Sequence, residues 1–430
     1  MKNGDALLER TRAFAAELAA QRPERQRRRA LDPADFGRLR EIGYHKACIP
    51  VAHGGLWESP RCSVRILAEA YRALASGDPS LALAASMHPA VLSFWRDADA
   101  LTDQAGADAW EAQRREVFIT ALDGAWWGTI TSEPGSGGDI GKTRAAAWRD
   151  TAAPGDWRIT GEKHFGSGSG ITSHMITTAL PEGEAEPAWF VFDMRGAPWD
   201  GSTGLELRAE WEGHGMASTN SHGFTFRNFP ATRMAWPGHW RQVLEGNGGT
   251  STILFVGVIL GVVDAAMAYT ERQLRARGAP DSALPAFEKV EWVMAQREAW
   301  LAQQAYDGAL HALERHGRSR RDAQMAKANL ATLAESIMTR LCRIAGGGAY
   351  SRNSPLGHWF EDVRAAGFLR PPWSVALEGL YTIGWERSPA ACAPPADSAA
   401  KGCKDTSEVS ARRSTAACQP PPPLPPRTRR

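Results

Sequence analysis

Glycines cluster in a short segment that begins at Ile130 and reads ITSEPGSGGDIGKTRAAA. Because glycine has no side chain, such a segment leaves backbone N–H and C=O groups open to a ligand. A phosphate-binding P-loop is excluded, since its first glycine would stand at Ser136 and Asp139 would place a negative charge among the phosphates. A dinucleotide-binding turn is excluded too, because Ile140 stands at the position of its third glycine. The remaining chemistry is hydrogen bonding to the edge of a flat heterocycle.

A second glycine-containing segment starts at Ile159 and reads ITGEKHFGSG. Together with TSEPGSGGD, which starts at Thr131, it resembles the paired flavin-binding motifs of the acyl-CoA dehydrogenase superfamily, TEPxxGSD and NGxKxWITNG. The resemblance covers about residues 6 to 386. It implies FAD as the cofactor and an α+β multidomain fold: a helical N-domain, a middle β-barrel-like domain and a C-terminal four-helix bundle.

The resemblance also implies which residues contact the flavin. Thr131 and Ser132 would meet the ring through backbone and hydroxyl groups, while Phe165 stands where the family has a tryptophan that packs on the ring. Ser167 stands where a threonine hydroxyl approaches the reactive nitrogen of the flavin, and Gly138 replaces a serine. The other implied contacts are Gly137 in the same loop, Arg343, Gly346 and Gly347 toward the adenine half of FAD in a neighbouring subunit, and Arg272 or Arg275 toward the pyrophosphate.

The glutamate that removes a proton in the family's dehydrogenases is missing from both of its usual positions. One position, in the segment GFLRPPWS, holds Arg370 or Pro371, and the other holds Ser251 and Thr252. An arginine stays protonated in a protein and cannot act as a base, although it can bind an anion or stabilise a negatively charged reduced flavin. We therefore expect Arg370 to act as a cation.

Two further residues are candidates for proton transfer. His88, in SMHPAVLSFW, stands where the N-domain of the family approaches the substrate cavity, and histidine titrates near neutral pH. A structural histidine is the alternative there. Glu378 would be a substitute base if the last helix were shifted by two turns.

Three functions follow from the resemblance. The first is an FAD-dependent oxidoreductase that acts on the CH–CH group of an acyl thioester of CoA or a carrier protein. The second is a monooxygenase of the same fold, with FAD or FMN reduced elsewhere, that oxygenates nitrogen, sulfur or carbon; the missing glutamate favours it. The third is a partner subunit without turnover. An electron-transfer partner or a flavin reductase and a homotetramer or homodimer are implied as well.

The elements that must position these residues divide the chain into four segments. Helical spacing predicts a helical domain over 1–120, short strands bounded by Pro, Gly or Asp predict a flavin-binding β domain over 121–234, and helices return over 235–387. Apolar stripes in the third segment are expected to face partner helices: Leu330, Leu333, Ile337, Leu341 and Ile344 on one helix, and Val290, Met294, Leu301 and Ala305 on the helix before it. The Pro- and Ala-rich residues 388–430 are expected to be a disordered tail.

Composition limits the possible partners. The 430 residues are 43% hydrophobic and carry a net charge of +2, which gives no reason to expect nucleic acid. The longest apolar run, 253–263, is too short to span a membrane, and no secretory signal precedes Asp5, so a cytoplasmic enzyme is expected. Six scattered cysteines without a CxxC pair or a histidine cluster predict neither a metal site nor a disulfide framework.

Overall fold

A computed structural model describes residues 2–96, 104–152, 156–278 and 284–386. The expected tail, 388–430, lies outside the described residues, and so the expectation of disorder there stays a prediction. Residues 1–386 form one compact unit. The division of that unit into segments ending at 120, 234 and 387 also stays a prediction, although all the strands described lie between Trp127 and Arg233.

The chain starts with helices. They are α1 (Lys2–Ala20), α2 (Arg22–Arg25), α3 (Pro33–Ile42), α4 (Pro60–Gly77), α5 (Pro79–Arg96) and α6 (Gln104–Leu122), with short 3₁₀ turns at Tyr44–Lys46 and Val51–His53. Helix α4 begins where Ser59 accepts a hydrogen bond from the Cys62 N–H and where Pro60 supplies a fixed φ at the first helical position. Its apolar stripe, Val64, Leu67, Tyr71 and Leu74, is buried.

Seven strands follow. They are β1 (Trp127–Thr129), β2 (Ala146–Arg149), β3 (Asp156–Gly166), β4 (His174–Pro181), β5 (Ala188–Asp193), β6 (Leu205–Ala209) and β7 (His222–Arg233). Strands β4, β2, β3, β7 and β5 pair in that order, and β5 pairs back with β4, so the five strands close on themselves. Strand β1 adds to β4 and β6 adds to β7. The predicted barrel-like sheet is therefore confirmed.

Phenylalanines fill the barrel. Phe190, Phe192, Phe224 and Phe226 are fully buried, and the Phe192 and Phe226 rings stack with centroids 4.6 Å apart. In β7, Phe224 and Phe226 alternate with Thr225 and Arg227, which places one face of the strand inside. The glycine-rich loop 131–139 follows β1 at the edge of this sheet.

Helices return after the barrel. They are α7 (Trp240–Gly246), α8 (Thr250–Ala276), α9 (Ala286–His316), α10 (Arg320–Ala345), α11 (Pro355–Phe368) and α12 (Trp373–Glu386), with a 3₁₀ turn at Gly346–Tyr350. Helices α8 to α11 pack on one another, which confirms the predicted four-helix bundle, and α8 also packs on α4 and α5. By length and composition α8 could span a membrane, but 72% of its most apolar window is buried in the structure, as in a core helix.

One of the two predicted stripes is wrong. The α10 stripe is buried apart from the partly buried Leu333. On α9, however, Val290 is 61% and Leu301 40% exposed, and the helix instead buries Ala295, Ala302 and Tyr306. Two glutamates of the buried face, Glu291 and Glu298, are neutralised by Arg340 of α10. The ion pairs let charged residues occupy the inward face of α9, which leaves an apolar stripe outside.

Candidate functional site

A cavity of about 770 Å³ lies where the barrel meets the end of α11, and we name it cavity A. Its barrel wall consists mainly of the two glycine-containing segments, with Thr131, Ser132, Gly135, Gly137, Gly138, Phe165 and Ser167. Its helical wall includes Phe255, Ala365, Phe368, Leu369 and Arg370. The structure thus brings together six of the predicted flavin contacts and Arg370.

An ion pair inside the barrel holds the two segments together. Lys163 of β3 is fully buried, and its Nζ donates to Glu133 Oε1 at 2.6 Å, to the Thr178 carbonyl at 2.6 Å and to Thr143 Oγ1 at 3.0 Å. Burial lowers the pKa of Lys163 to about 8, although Glu133 opposes that shift. Burial alone would raise the pKa of Glu133, but Lys163 and the hydrogen bonds of Thr143 and Arg144 outweigh it and lower that pKa. The sequence analysis did not single out this pair, although both residues match motif positions.

Glycines shape the loop because its backbone turns to the left-handed side. The φ angle is +76° at Gly135, +62° at Gly137 and +82° at Gly138. A Cβ on Gly138 would lie 2.5 Å from Pro372 Cγ, so a side chain there has no room. The serine that the family has at this position is therefore incompatible with the close approach of Pro372 in this chain.

Arg370 ties the bundle to the loop. Its guanidinium donates to Ser132 Oγ at 2.7 Å and to the Gly138 carbonyl at 2.9 Å. Burial lowers the pKa of Arg370 to about 10, and Asp139 partly offsets this. The side chain therefore stays cationic at neutral pH beside the loop that faces the cavity.

Phe165 faces the cavity in a strained conformation. Its φ is +63°, which a phenylalanine adopts at a cost, and its side chain is 57% exposed on the cavity wall. Ser167 is 8% exposed, and its hydroxyl lies 2.8 Å from Ser221 Oγ. An aromatic ring held open to a cavity is suited to stack on a planar ligand.

The residues present fit a flavin. Cavity A has the size of a cofactor site, on the order of 300–1,000 Å³, and combines a ring for stacking with a cation and a loop of open backbone. Among the described residues the hydroxyl of Thr131 and the N–H of Gly137 have no hydrogen-bond partner, and both residues line the cavity. These two free donors could hydrogen-bond the nitrogen and oxygen atoms along the edge of an isoalloxazine ring. Thr131, Ser132, Phe165 and Arg370 would hold that ring.

A second cavity, of about 200 Å³, adjoins the first, and we name it cavity B. Met87, Thr129, Thr131, Gly138, Phe255 and Arg370 line both cavities. Ser251 and Thr252 line cavity B as well, so both positions where the family's dehydrogenases carry the glutamate face it. Neither position supplies a carboxylate.

The other predicted site residues lie away from both cavities. His88 is 1% exposed: its Nε2 donates to the His45 carbonyl at 2.8 Å and its Nδ1 accepts from the Trp127 N–H at 3.0 Å. Burial lowers the pKa of His88 to about 4. It lines neither cavity, so the structure does not support a role in proton transfer, and the structural alternative accounts for its contacts.

Five predicted residues stand on the surface of this chain. Arg272, Arg343, Gly346, Gly347 and Glu378 are exposed and line neither cavity. Glu378 is therefore not placed to act as a substitute base. Arg343 lies 3.2 Å from Glu291, with its side chain 56% exposed. A single copy of the chain does not bring these residues to the cavities.

Comparison with known proteins identifies relatives of two kinds. Residues 250–370 match the family described as "Acyl-CoA dehydrogenase, C-terminal domain". The chain is 25% identical to amino sugar nitrososynthase DnmZ of Streptomyces peucetius over 391 residues, 86% of this chain and 90% of that protein. It is also 25% identical to putative acyl-CoA dehydrogenase YdbM of Bacillus subtilis (strain 168) over 356 residues, 79% of this chain and 86% of that protein.

Solved structures share the fold. KijD3 in complex with FMN and dTDP-3-amino-2,3,6-trideoxy-4-keto-3-methyl-D-glucose superposes with a TM-score of 0.74 at 21% identity, over 90% of this chain and 94% of that one. Butyryl-CoA dehydrogenase from Megasphaera elsdenii superposes with a TM-score of 0.75 at 17% identity, over 90% of this chain and 98% of that one. The chain therefore has the fold of the acyl-CoA dehydrogenases, and its residues 250–370 match the C-terminal domain of that family.

Proposed function

We propose that the chain is a flavin-dependent monooxygenase that oxygenates a nitrogen atom of a small substrate. The observation that carries the proposal is the lining of cavity B, where Arg370, Ser251 and Thr252 occupy both positions that would hold the base of a dehydrogenase. Removal of a proton next to a thioester needs a carboxylate or an equivalent base. None of these three side chains can act as one at neutral pH.

The carboxylates near the cavities are already engaged. Glu133 is paired with Lys163, and Glu361 lies 2.8 Å from Arg364. Asp139 accepts from the Gly141 N–H at 2.9 Å and lies 3.8 Å from Lys142. Among the described residues that line cavity A or cavity B, these three are the carboxylates, and Asp139 is the one that reaches cavity B.

A bound reduced flavin would supply two electrons, so that one atom of O₂ enters an N–H bond of the substrate and the other leaves as water with two protons. Arg370 would hold the loop in place and favour a negatively charged reduced ring. Phe165 would orient the ring by stacking, and the apolar wall of cavity B would exclude water from the reacting nitrogen. The sequence relative DnmZ, an amino sugar nitrososynthase, supports the choice of nitrogen.

A thioester dehydrogenase is the second candidate. The relative YdbM, a putative acyl-CoA dehydrogenase, supports it, and Asp139 is the side chain that could take the proton, because its carboxylate lines cavity B beside Arg370. The base would then come from the flavin loop instead of the bundle. Such a dehydrogenase would need FAD and an electron-transfer partner, whereas the monooxygenase would need FMN or FAD and a flavin reductase.

We further propose that the active form is a homodimer or homotetramer in the cytoplasm. The α9 stripe of Phe287, Val290, Val293 and Trp300 is 55–61% exposed, and Tyr350, beside Gly346 and Gly347, is 99% exposed. Large apolar surfaces of this kind support burial against another copy of the chain. The exposed Arg343, Gly346 and Gly347 would then contact the flavin of the neighbouring copy.

Two reactions, one without O₂ and one with it, test the function. The flavin-loaded protein is first mixed with butyryl-CoA without O₂; bleaching of the flavin would establish the dehydrogenase and overturn the monooxygenase. Protein reduced with dithionite is then mixed with O₂ and a panel of amines. Formation of an N-hydroxylated product, detected by mass spectrometry with ¹⁸O₂, is the expected result. The Asp139→Asn variant sharpens the choice, because it would abolish bleaching by the thioester and leave N-oxygenation in place.

A further inference from the structure

We infer that cavity B takes a compact substrate that carries an anionic group, held at the cavity mouth by Arg241 and Arg320, while an N–H or O–H of the substrate meets Gln324. The inference rests on the proposed function, since it describes the substrate that would lie beside the flavin. It is carried by four features of the cavity wall: its apolar body, its unpaired cations, a helix N-terminus and one buried acceptor without a donor.

The body of cavity B is apolar. Side chains from α5, the barrel, α7 and α8 line it, namely Met87, Val91, Phe94, Ile176, Trp189, Trp240, Leu244 and Phe255. With a volume of about 200 Å³, it is smaller than a site for a drug-sized ligand, on the order of 300–1,000 Å³. The part of the substrate that enters is therefore compact, of the size of a single ring.

Positive charge dominates the polar part of the wall. Arg241 and Arg320 are both exposed, and neither has a carboxylate within ion-pair distance among the described residues. The Arg241 guanidinium lies 4.5 Å from the centroid of the Trp240 ring, which positions it at the cavity without neutralising it. With Arg370, three arginines line cavity B against one carboxylate, Asp139, which Lys142 already faces.

The start of α8 adds to this field. Gly249, Ser251 and Thr252, which line cavity B, form the first turn of a helix of 27 residues whose N-cap residue is Gly249. A helix N-terminus carries partial positive charge, although here Asn247 already accepts hydrogen bonds from the Thr250 and Ser251 N–H groups. Arg320 stands at the start of α10 next to it: a Cβ on Gly249 would lie 3.2 Å from Arg320 Cα. The first turns of α8 and α10, together with Arg241 and Arg320, thus lie at the opening of cavity B.

Gln324 is the fourth feature. It lines cavity B, is 5% exposed, and its Oε1 has no hydrogen-bond donor in the described part of the chain. A buried acceptor without a donor destabilises the free protein. A substrate N–H or O–H that reaches Oε1 would recover that cost, so the cavity selects a molecule with a donor on its apolar body and an anion at its outer end.

Isothermal titration of the flavin-loaded protein tests the inference with matched probes. Phenyl phosphate and benzoate carry the anion on a single ring, as a phosphate and a carboxylate, and benzyl alcohol is the neutral counterpart. We expect at least one anionic probe to bind about tenfold or more tightly than benzyl alcohol, the effect of one charge-assisted hydrogen bond. The probe that binds more tightly identifies the kind of anion.

Variants assign the effect to residues. The double variant Arg241→Gln and Arg320→Gln should remove the preference for the anion and leave binding of benzyl alcohol unchanged. Arg115→Gln is the matched control, because Arg115 is an exposed arginine of α6 that lines neither cavity. Gln324→Leu should weaken benzyl alcohol about fivefold or more, the loss of one neutral hydrogen bond.

Three results would overturn the inference: equal binding of charged and neutral probes, a preference that survives the double variant, or no binding of any probe at millimolar concentration. A failure of the proposed function looks different. If the protein does not bind flavin or does not oxygenate amines, the probe preference can still be measured in the flavin-free protein, since cavity B is lined by the chain's own residues.

Discussion

Cavities A and B share Thr131, Gly138 and Arg370, yet they are built from different material. On its barrel side, cavity A is lined by backbone groups, hydroxyls and one aromatic ring. Glycine turns and the Glu133–Lys163 ion pair hold these groups in place. Cavity B is walled by side chains from several separate helices. A backbone that must adopt left-handed φ angles and hydrogen-bond a given cofactor tolerates few substitutions. A wall made of side chains can instead be changed one residue at a time. A sequence motif can therefore predict the cofactor, whereas no motif predicts the substrate.

Loss of the buried Glu133–Lys163 ion pair is expected to have the largest effect on cavity A. Replacing Lys163 with Met leaves the Glu133 carboxylate buried without its cation, and such a loss costs about 3–5 kcal/mol. We expect the free energy of unfolding of the flavin-free protein, measured by urea denaturation, to fall by that amount. Lys142→Met is the control, because Lys142 is 71% exposed and lies 3.8 Å from Asp139, so that less than about 1 kcal/mol should be lost. Equal losses would show that the pair does not hold cavity A together.

Gly138 tests whether the loop needs bare backbone. Alanine at this position combines a left-handed φ of +82° with a Cβ 2.5 Å from Pro372 Cγ, so the loop or Pro372 must move. We expect flavin to bind about 100-fold more weakly, equivalent to about 2.7 kcal/mol, by fluorescence titration. Gly196→Ala is the matched control: its φ is +68° and nothing lies within 4 Å of the added Cβ. If both variants bound flavin normally, the shape of the loop would not matter.

Sequence reasoning predicted the part of cavity A that comes from the two glycine-containing segments, but it did not single out the segment 211–221, which also lines the cavity. Thr131, Ser132, Gly137 and Gly138 lie within eight residues, and their spacing carries the information. Arg320 and Gln324 lie four residues apart on α10, but Arg241 comes from α7, about 80 residues earlier, and no sequence spacing connects it to them. They were found only when the structure placed them on one cavity.

Two sequence predictions failed for a different physical reason. Apolar periodicity predicted that Val290 and Leu301 face inward, but α9 buries Glu291 and Glu298 because Arg340 pairs with both. Apolar periodicity does not show whether a neighbouring helix will neutralise the charged face of a helix and so allow that face to be buried. His88 was proposed because histidine suits proton transfer, and the sequence does not show that Trp127 and His45 occupy both of its ring nitrogens.

Phe165 tests the side-chain contribution to cavity A. Leucine there would keep an apolar surface but lose the ring that faces the cavity. Aromatic pairs contribute about 0.5–1.5 kcal/mol beyond buried area, so we expect flavin affinity to fall about twofold to tenfold. Phe165→Trp should restore it, because tryptophan keeps a flat ring. An unchanged affinity in the leucine variant would show that the ring does not stack on the flavin.

The pH dependence of stability separates a structural His88 from a catalytic one. Burial lowers its pKa to about 4 in the folded protein, whereas an unfolded chain has a pKa near 6.5, so the unfolded state binds the proton first as the pH falls. Stability is therefore fully present above about pH 6.5 and is lost as the pH falls toward 4. We expect the wild type to lose about 2 kcal/mol more than the His88→Gln variant between pH 7 and pH 5. His45, whose pKa burial also lowers to about 4, is present in both proteins, so its contribution cancels in the comparison.

His311→Gln, on the exposed surface of α9, should keep the wild-type slope. If the His88 variant kept that slope as well, the ring would accept a proton in the folded protein. It would then be open to water, and a role in proton transfer would have to be considered again.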